Sequence, residues 1–184
     1  MSTAIEIIKG CQKGNRKSQY ELYQQYASGM LAVAMRYSKS TQEAEDILQE
    51  GFIKVFQNID KFRQDSSIGY WIKRIIINTA LNHQRNKLYL YPMVDVDDLR
   101  EGMEAVSLES LEMEDLMNMI QDLPTGCQVI FNLYAIEGYP HKEIAKMLSI
   151  SEGTSKSQYA RARKLLIEII DNNNKWENER YHER

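Results

Sequence analysis

The chain has 184 residues, 43% hydrophobic and 27% charged, with only 3 Pro and 9 Gly, a balance that suits one globular domain or two small ones built from helices. No apolar run approaches the roughly 18 residues of a membrane span. The N-terminus lacks the basic start and apolar core of a secretory signal, and Cys11 and Cys127 lack disulfide or zinc spacing and fit a reducing cytosol. The net charge of −3 is unevenly spread: residues 1–93 hold 13 basic and 8 acidic groups, 94–123 hold 1 and 10, and 124–184 hold 9 and 8.

In chain order, Tyr23, Tyr26, Ala27, Met30, Ala34 and Tyr37 fall at helical spacing and predict a first helix over 16–38. Ser40 and Thr41 offer a cap for a second, over 41–59, with Ala44, Ile47, Leu48, Phe52, Val55, Phe56 and Ile59 on its apolar side. Residues 60–67 are polar and read as a loop. A third helix, 68–86, buries Ile68, Ile72, Ile75 and Ile76, and the three make an N-terminal bundle. From Leu88 to Leu111 the pattern breaks; Pro92 and the run VDVDDLREGMEA read as an acidic linker. Helix resumes near Ser110 and runs to Asp122. Three further helices, 125–136, 140–148 and 152–170, form a smaller second bundle, and the polar tail is expected to fray.

Three surfaces stand out. In 140–166, two short helices meet at Ser149–Ser151, with Ser151 as N-cap and Ile150 plugging the turn, which is a helix-turn-helix. Thr154, Ser157, Gln158 and Arg161 are expected on one outward side, with Lys156, Arg163 and Lys164 around it, suited to base edges and phosphates in a major groove. On 68–86, Trp71, Arg74, Asn78, Asn82 and Arg85 share a stripe. Two Arg, two Asn and an aromatic suit nucleic acid: Arg holds phosphate, Asn reads adenine, and Trp stacks on an unpaired base. The preceding loop adds Lys61, Phe62, Arg63, Gln64 and Asp65; Phe62 and Trp71 also suit a core. On 41–59, Asp46, Glu50, Ile53 and Gln57 lie opposite the apolar side, and Ile53 among acids, with Gln49 beside it, suggests a docking protein.

Together these residues resemble an extracytoplasmic-function (ECF) sigma factor, a dissociable promoter-recognition subunit of bacterial RNA polymerase. EAEDILQEGFIKVF (43–56), FRQDSSIGYWIKRIIINTALNHQR (62–85) and LPTGCQVIFNLYAIEGYPHKEIAKMLSISEGTSKSQYARARKLL (123–166) carry the likeness, in the family's order and spacing. The resemblance implies an all-α chain: a sigma region 2-like domain (1–90), an acidic linker (91–111), a region 4-like helix-turn-helix domain (112–172) and a polar tail (173–184). It implies that Asp46, Gln49, Glu50, Ile53 and Gln57 meet core RNA polymerase. It puts Lys61, Phe62, Arg63, Gln64, Asp65, Trp71, Arg74, Asn78, Asn82 and Arg85 on the −10 element, the 60–67 loop capturing a flipped base. It puts Lys142, Thr154, Ser155, Lys156, Ser157, Gln158, Arg161 and Arg163 on the −35 element. The linker would stand in for the intermediate domain of larger sigma factors, its acids mimicking nucleic acid. Core polymerase, promoter DNA and an anti-sigma factor are the implied partners, in the cytoplasm.

The chain departs from the family at several points. TSKS (154–157) replaces TVKS, so a core Val becomes Ser155; Gln158 replaces a basic residue, Tyr159 an aliphatic one, and Pro140 a Ser or Thr. His83, His141 and His182 show no HxxxH or HD spacing, and Glu43, Glu45, Asp46 and Glu50 read as helix surface. No catalytic residue, metal or cofactor is therefore expected. The alternative reading is an autonomous helix-turn-helix regulator with an N-terminal sensing or dimerisation domain.

Overall fold

A computed structural model of the chain describes residues 3–90 and 113–182, with side chains described for 3–84 and 115–172. Every regular element among the described residues is helical. The chain forms two compact units, Met1–Gln84 and Arg85–Arg184. The acidic linker, 91–111, lies outside the described residues.

The first unit contains α1 (Ala4–Gln12), α2 (Arg16–Met35), α3 (Thr41–Asn58), a 3-10 turn (Ile59–Lys61) and α4 (Ile68–Leu90) up to Gln84. The caps are local and polar, as orphan N–H groups at helix starts require. Asn15 Oδ1 accepts from the amides of Lys17 and Ser18, and Ser40 Oγ from that of Glu43. The sequence reading passed over α1, although its signal is present. Thr3 and Glu6 form a capping box, Thr3 Oγ1 accepting from Glu6 N at 3.3 Å and Glu6 Oε2 from Thr3 N at 2.7 Å. Ile7, Ile8 and Cys11 bury its inner face. Gln12 Nε2 then donates to Ile59 O, 3.2 Å away, tying α1 to the turn after α3.

The core of this unit lies where α2, α3 and α4 meet. Leu22, Val33, Ile47, Val55, Ile72 and Ile76 are among its buried side chains. Each such aliphatic contributes roughly 1.5–3 kcal/mol by leaving water. Gly51 explains itself here. A helical Gly costs about 1 kcal/mol against Ala, but a Cβ at 51 would collide with the tip of buried Ile76, so the missing side chain lets α3 and α4 approach closely. Gln84 closes the far end, its Nε2 donating to Tyr37 O at 2.7 Å and to Glu43 Oε1 at 3.1 Å.

The second unit contains α5 (Met113–Asp122), α6 (Thr125–Phe131), a π-helical turn (Asn132–Ile136), α7 (His141–Leu148) and α8 (Glu152–His182). Met119, Ile120, Leu123, Cys127, Ala162, Leu166 and Ile170 form one buried cluster, with Phe131 and Leu165 packed against it. Where one helix was expected over 125–136, the chain widens into the π turn. Gly138, at φ +78°, then reverses it with a left-handed conformation that suits glycine. Helix α8 runs past the expected end near 170, because no Gly or Pro interrupts the chain after Gly153. The side chains of the tail beyond 172 lie outside the described residues.

Candidate nucleic-acid interface

In the first unit, α3 and α4 leave a groove of about 530 Å³ between them, lined by Lys54, Asn58, Lys61, Trp71, Ile75, Asn78, Thr79 and Asn82. Trp71, Asn78 and Asn82 come together on one wall, at the i, i+7, i+11 positions of α4. The opposite wall, Lys54, Asn58 and Lys61, was missed by the sequence reading apart from Lys61. Its signal was an i, i+4, i+7 polar stripe running from α3 into the 3-10 turn. The stripe is internally bonded: Asn58 Nδ2 donates to Lys54 O at 2.8 Å, and Lys61 Nζ donates to Asn58 Oδ1 at 2.8 Å. Arg74 is exposed on α4 but is not among the lining residues, and the side chain of Arg85 lies outside the described residues.

The expectation for Phe62 needs correction. It is 6% exposed and packs against Trp71, ring centroids 5.4 Å apart. Its apolar ring belongs to the core and supports the indole, so it does not face a base. Beyond it the chain turns outward at Gln64, whose φ of 62° is left-handed, and Arg63, Gln64 and Asp65 are exposed. Ser67 starts α4, its Oγ accepting from Tyr70 N at 3.2 Å. Trp71 is thus fixed from below by Phe62 and from behind by a capped helix, with one face on the groove.

Along α3, Asp46, Gln49, Ile53 and Gln57 are exposed, and Ile53 keeps 56% of its surface open to solvent. Glu50 is part of the same edge. One carboxylate oxygen pairs with Lys54 Nζ at 2.6 Å and the other with His83 Nε2 at 2.5 Å. Hydrogen bonds from Lys54 and then His83 hold its pKa below the usual carboxylate range.

In the second unit, α7 ends at Ser149, which is left-handed at φ 57° and ψ 46°. Ile150 N donates back to Ala145 O at 3.0 Å. Ser151 caps α8, its Oγ accepting from Thr154 N at 2.8 Å. This is the expected helix-turn-helix backbone, but α8 is turned from the face expected of it. Thr154, Ser155 and Gln158 are 8%, 0% and 3% exposed, so none presents its side chain to DNA. The reason is packing. Ser155, Gln158, Ala162 and Leu166 form one helical stripe against the core. Half a turn away, Gly153 and Lys164 are exposed and Ser157 and Ala160 half-buried, flanked by the exposed Lys156 and Arg163 and the half-buried Arg161. Lys156 also pairs with Glu152 at 2.8 Å, and Lys142 is exposed at the start of α7.

The departures from the family pattern fit one another. Buried Ser155 Oγ bonds His141 Nδ1 at 2.9 Å, and Cys127 Sγ donates to Gln158 Oε1 at 3.2 Å. Tyr159 packs on Tyr134 and Phe131, with centroids 4.6 and 6.0 Å apart, while His141 stacks on Tyr134 at 4.2 Å. The polar replacements are therefore satisfied rather than orphaned. Burial first, and nearby Lys156 second, push His141 below the usual histidine range, with Glu152 opposing. The folded unit thus prefers neutral His141, and the unfolded chain binds the extra proton. Stability is full above about pH 6.5 and is lost as pH falls toward the depressed value. Amide protection factors in α7 and α8, which divide out the intrinsic pH dependence of exchange, should fall over that range. In the double variant His141→Phe with Ser155→Val, which replaces both polar partners by apolar ones, this fall should vanish. An equal pH response in both proteins would exclude His141 as its source.

Comparison with known proteins places both units. The family description Sigma-70 region 2 matches residues 22–88, and Sigma-70, region 4 matches residues 113–166. The chain is 31% identical over 183 residues to the ECF RNA polymerase sigma-E factor of Escherichia coli strain K12, covering 90% of this chain and 91% of that one. It is 30% identical over 178 residues to the RNA polymerase sigma-H factor of Pseudomonas aeruginosa, covering 90% and 92%. The fold is similar to that of the sigma factor RpoE from Bartonella quintana, solved with the anti-sigma factor NepR. The TM-score is 0.53 at 21% identity, covering 83% of this chain and 96% of that one.

Proposed function

The chain belongs to the sigma-70 family, among its extracytoplasmic-function members, and on that premise we propose how its surfaces direct promoter-specific transcription initiation. The observation that carries the function is the likeness of both units, in order, to the two promoter-reading regions of a sigma factor. An autonomous regulator is not favoured, because region 2 of a sigma factor occupies the place such a regulator would give to a sensing domain.

In this reading residues 1–90 hold core polymerase and the −10 strand, 91–111 are the connecting strap, and 112–172 read the −35 duplex. The α3 edge of Asp46, Gln49, Glu50, Ile53 and Gln57 docks on polymerase; its exposed Ile53 among polar groups supports this. The groove receives an unpaired −10 base on Trp71, with Asn78 and Asn82 offering both donors and acceptors to its edge and Lys61 a charge to phosphate. Extruding a base costs a few kcal/mol, which stacking and edge bonds offset. Arg63, Gln64, Asp65 and Arg74 extend the contact, and Arg85 continues the α4 register. On α8, the exposed Lys156, Arg163 and Lys164 and the half-buried Ser157 and Arg161, with Lys142 of α7, fix register on duplex DNA mainly through phosphates. No helix among the described residues is long and apolar enough to cross a membrane. The chain acts without catalysis of its own, in the cytoplasm, and an anti-sigma factor is its natural inhibitor.

With 10 acids in residues 94–123 and a net charge of −3, the free chain has little general attraction for phosphate. Run-off transcription with purified core polymerase on genomic fragments tests the proposal. Discrete start sites should require the chain, and Asn78→Ala should weaken them about tenfold, as the loss of one bidentate base contact of ~1–3 kcal/mol implies. Tight sequence-specific duplex binding without polymerase, and no transcripts with it, would overturn the reading.

A further inference from the structure

Lys54 stands where two surfaces of the first unit meet. It lines the groove together with Asn58 and Thr79, within the reach of a strand laid along Trp71 and Asn78. In the chain by itself its ammonium is already engaged, 2.6 Å from Glu50 Oε1 and 3.3 Å from Thr79 Oγ1. Glu50 belongs to the other surface, the α3 edge of Asp46, Gln49 and Ile53. Its second oxygen is held by His83 of α4. The side chains of Lys54 and Glu50 are 34% and 43% exposed, so both can exchange partners without unfolding anything.

We infer that Glu50 restrains Lys54 until core polymerase docks, and that a basic group of the polymerase taking Glu50 frees Lys54 for a phosphate of the −10 strand. This rests on the assignment of the two surfaces proposed above. The geometry favours it over two simpler arrangements. Were Glu50 only a structural partner of α4, its bond to His83 would suffice and Lys54 could point freely into the groove. Were Lys54 only a groove residue, its nearest partner would not be a carboxylate on the edge where a protein docks. A phosphate taking Lys54 displaces Glu50 Oε1, and a cation taking that oxygen displaces Lys54. The two ligands therefore assist one another. By linkage the help is reciprocal: the bound strand tightens the hold on polymerase by the same factor. Lys61, which donates to the neutral side chain of Asn58, serves as the constant charge of the groove.

The factor is modest, because half-exposed ion pairs of this kind are worth about 1.5- to 5-fold in an equilibrium constant. It is measurable on the full chain by fluorescence anisotropy with a labelled single-stranded oligonucleotide of mixed sequence, titrated with salt. Glu50→Gln should raise affinity about 2- to 5-fold at low salt. It should also steepen the dependence of log K on log salt by roughly 0.7, the increment of one phosphate contact on a single strand. In a Lys54→Gln background, Glu50→Gln should give neither change. A gain of equal size in both backgrounds would mean that the carboxylate merely repels DNA, and no gain in either would mean that Lys54 is not restrained; each overturns the inference. Circular dichroism of all four proteins confirms folding. Run-off transcription by the wild-type holoenzyme decides separately whether the underlying assignment stands.

Discussion

Replacing Asp46 by Arg and Ile53 by Glu together is expected to lower affinity for core RNA polymerase by about a hundredfold or more while leaving the chain folded. Both side chains are exposed on α3, and neither belongs to the buried set of Ala44, Ile47, Leu48, Phe52 and Val55 that holds α3 in the bundle. Surface substitutions away from the core usually move stability by no more than about 0.5 kcal/mol. At an interface the same changes act differently. An apolar anchor near the centre of a patch is worth about 2 kcal/mol or more when lost, and introducing a charge of the wrong sign costs further. The sum, about 3 kcal/mol, is roughly two decades in Kd. Surface plasmon resonance on immobilised core enzyme measures it, with the thermal transition as the control for folding. The decisive outcome against this docking edge is a well-folded double variant with undiminished affinity.

How far this chain could be read before its structure was described differs between helix existence and helix rotation. The helices over 16–38, 41–59 and 68–86 were legible because their apolar residues recur at helical spacing and a Ser or Thr precedes the second. Helix α1 carried an equally local signal, Thr3 and Glu6, but is short and buries only Ile7, Ile8 and Cys11, so periodicity alone did not mark it. The π turn at Asn132–Ile136 has no residue signature in the sequence. The interface was legible as a set of residue types and less so as directions. Asn78 and Asn82 could be placed because the opposite stripe of α4 is rich in Ile. On α8 the core stripe includes Ser155, which stands where the family has a core Val and bonds His141, and Gln158, a polar residue that looks exposed until Cys127 is found beside it, 31 residues away in sequence. Polarity was taken for exposure, and the face expected for DNA was displaced accordingly. Phe62 is the converse case, where a residue in a polar loop was assigned to DNA although its ring lies beneath Trp71.

Trp71→Ala is expected to cut promoter-dependent transcription by roughly 10- to 100-fold, since a base stacked on an aromatic ring is worth about 1–3 kcal/mol. Trp71→Phe should retain much of the activity, because a flat ring on the same shelf still offers a stacking face. If Phe62 acts only by holding the indole, Phe62→Leu should lower activity of the wild-type chain yet add little once Trp71 is Ala. If Phe62 instead touched the base, its loss would be felt in both backgrounds and the two effects would add. Leu is the variant of choice at 62, because truncation to Ala costs about 3–5 kcal/mol of stability in a packed core and would confuse unfolding with lost contact. Permanganate footprinting of the melted −10 segment, beside abortive initiation rates, reports the strand-separated complex directly. Full melting by Trp71→Ala holoenzyme would remove the stacking role, and with it the reason for a half-buried indole at the mouth of a polar groove.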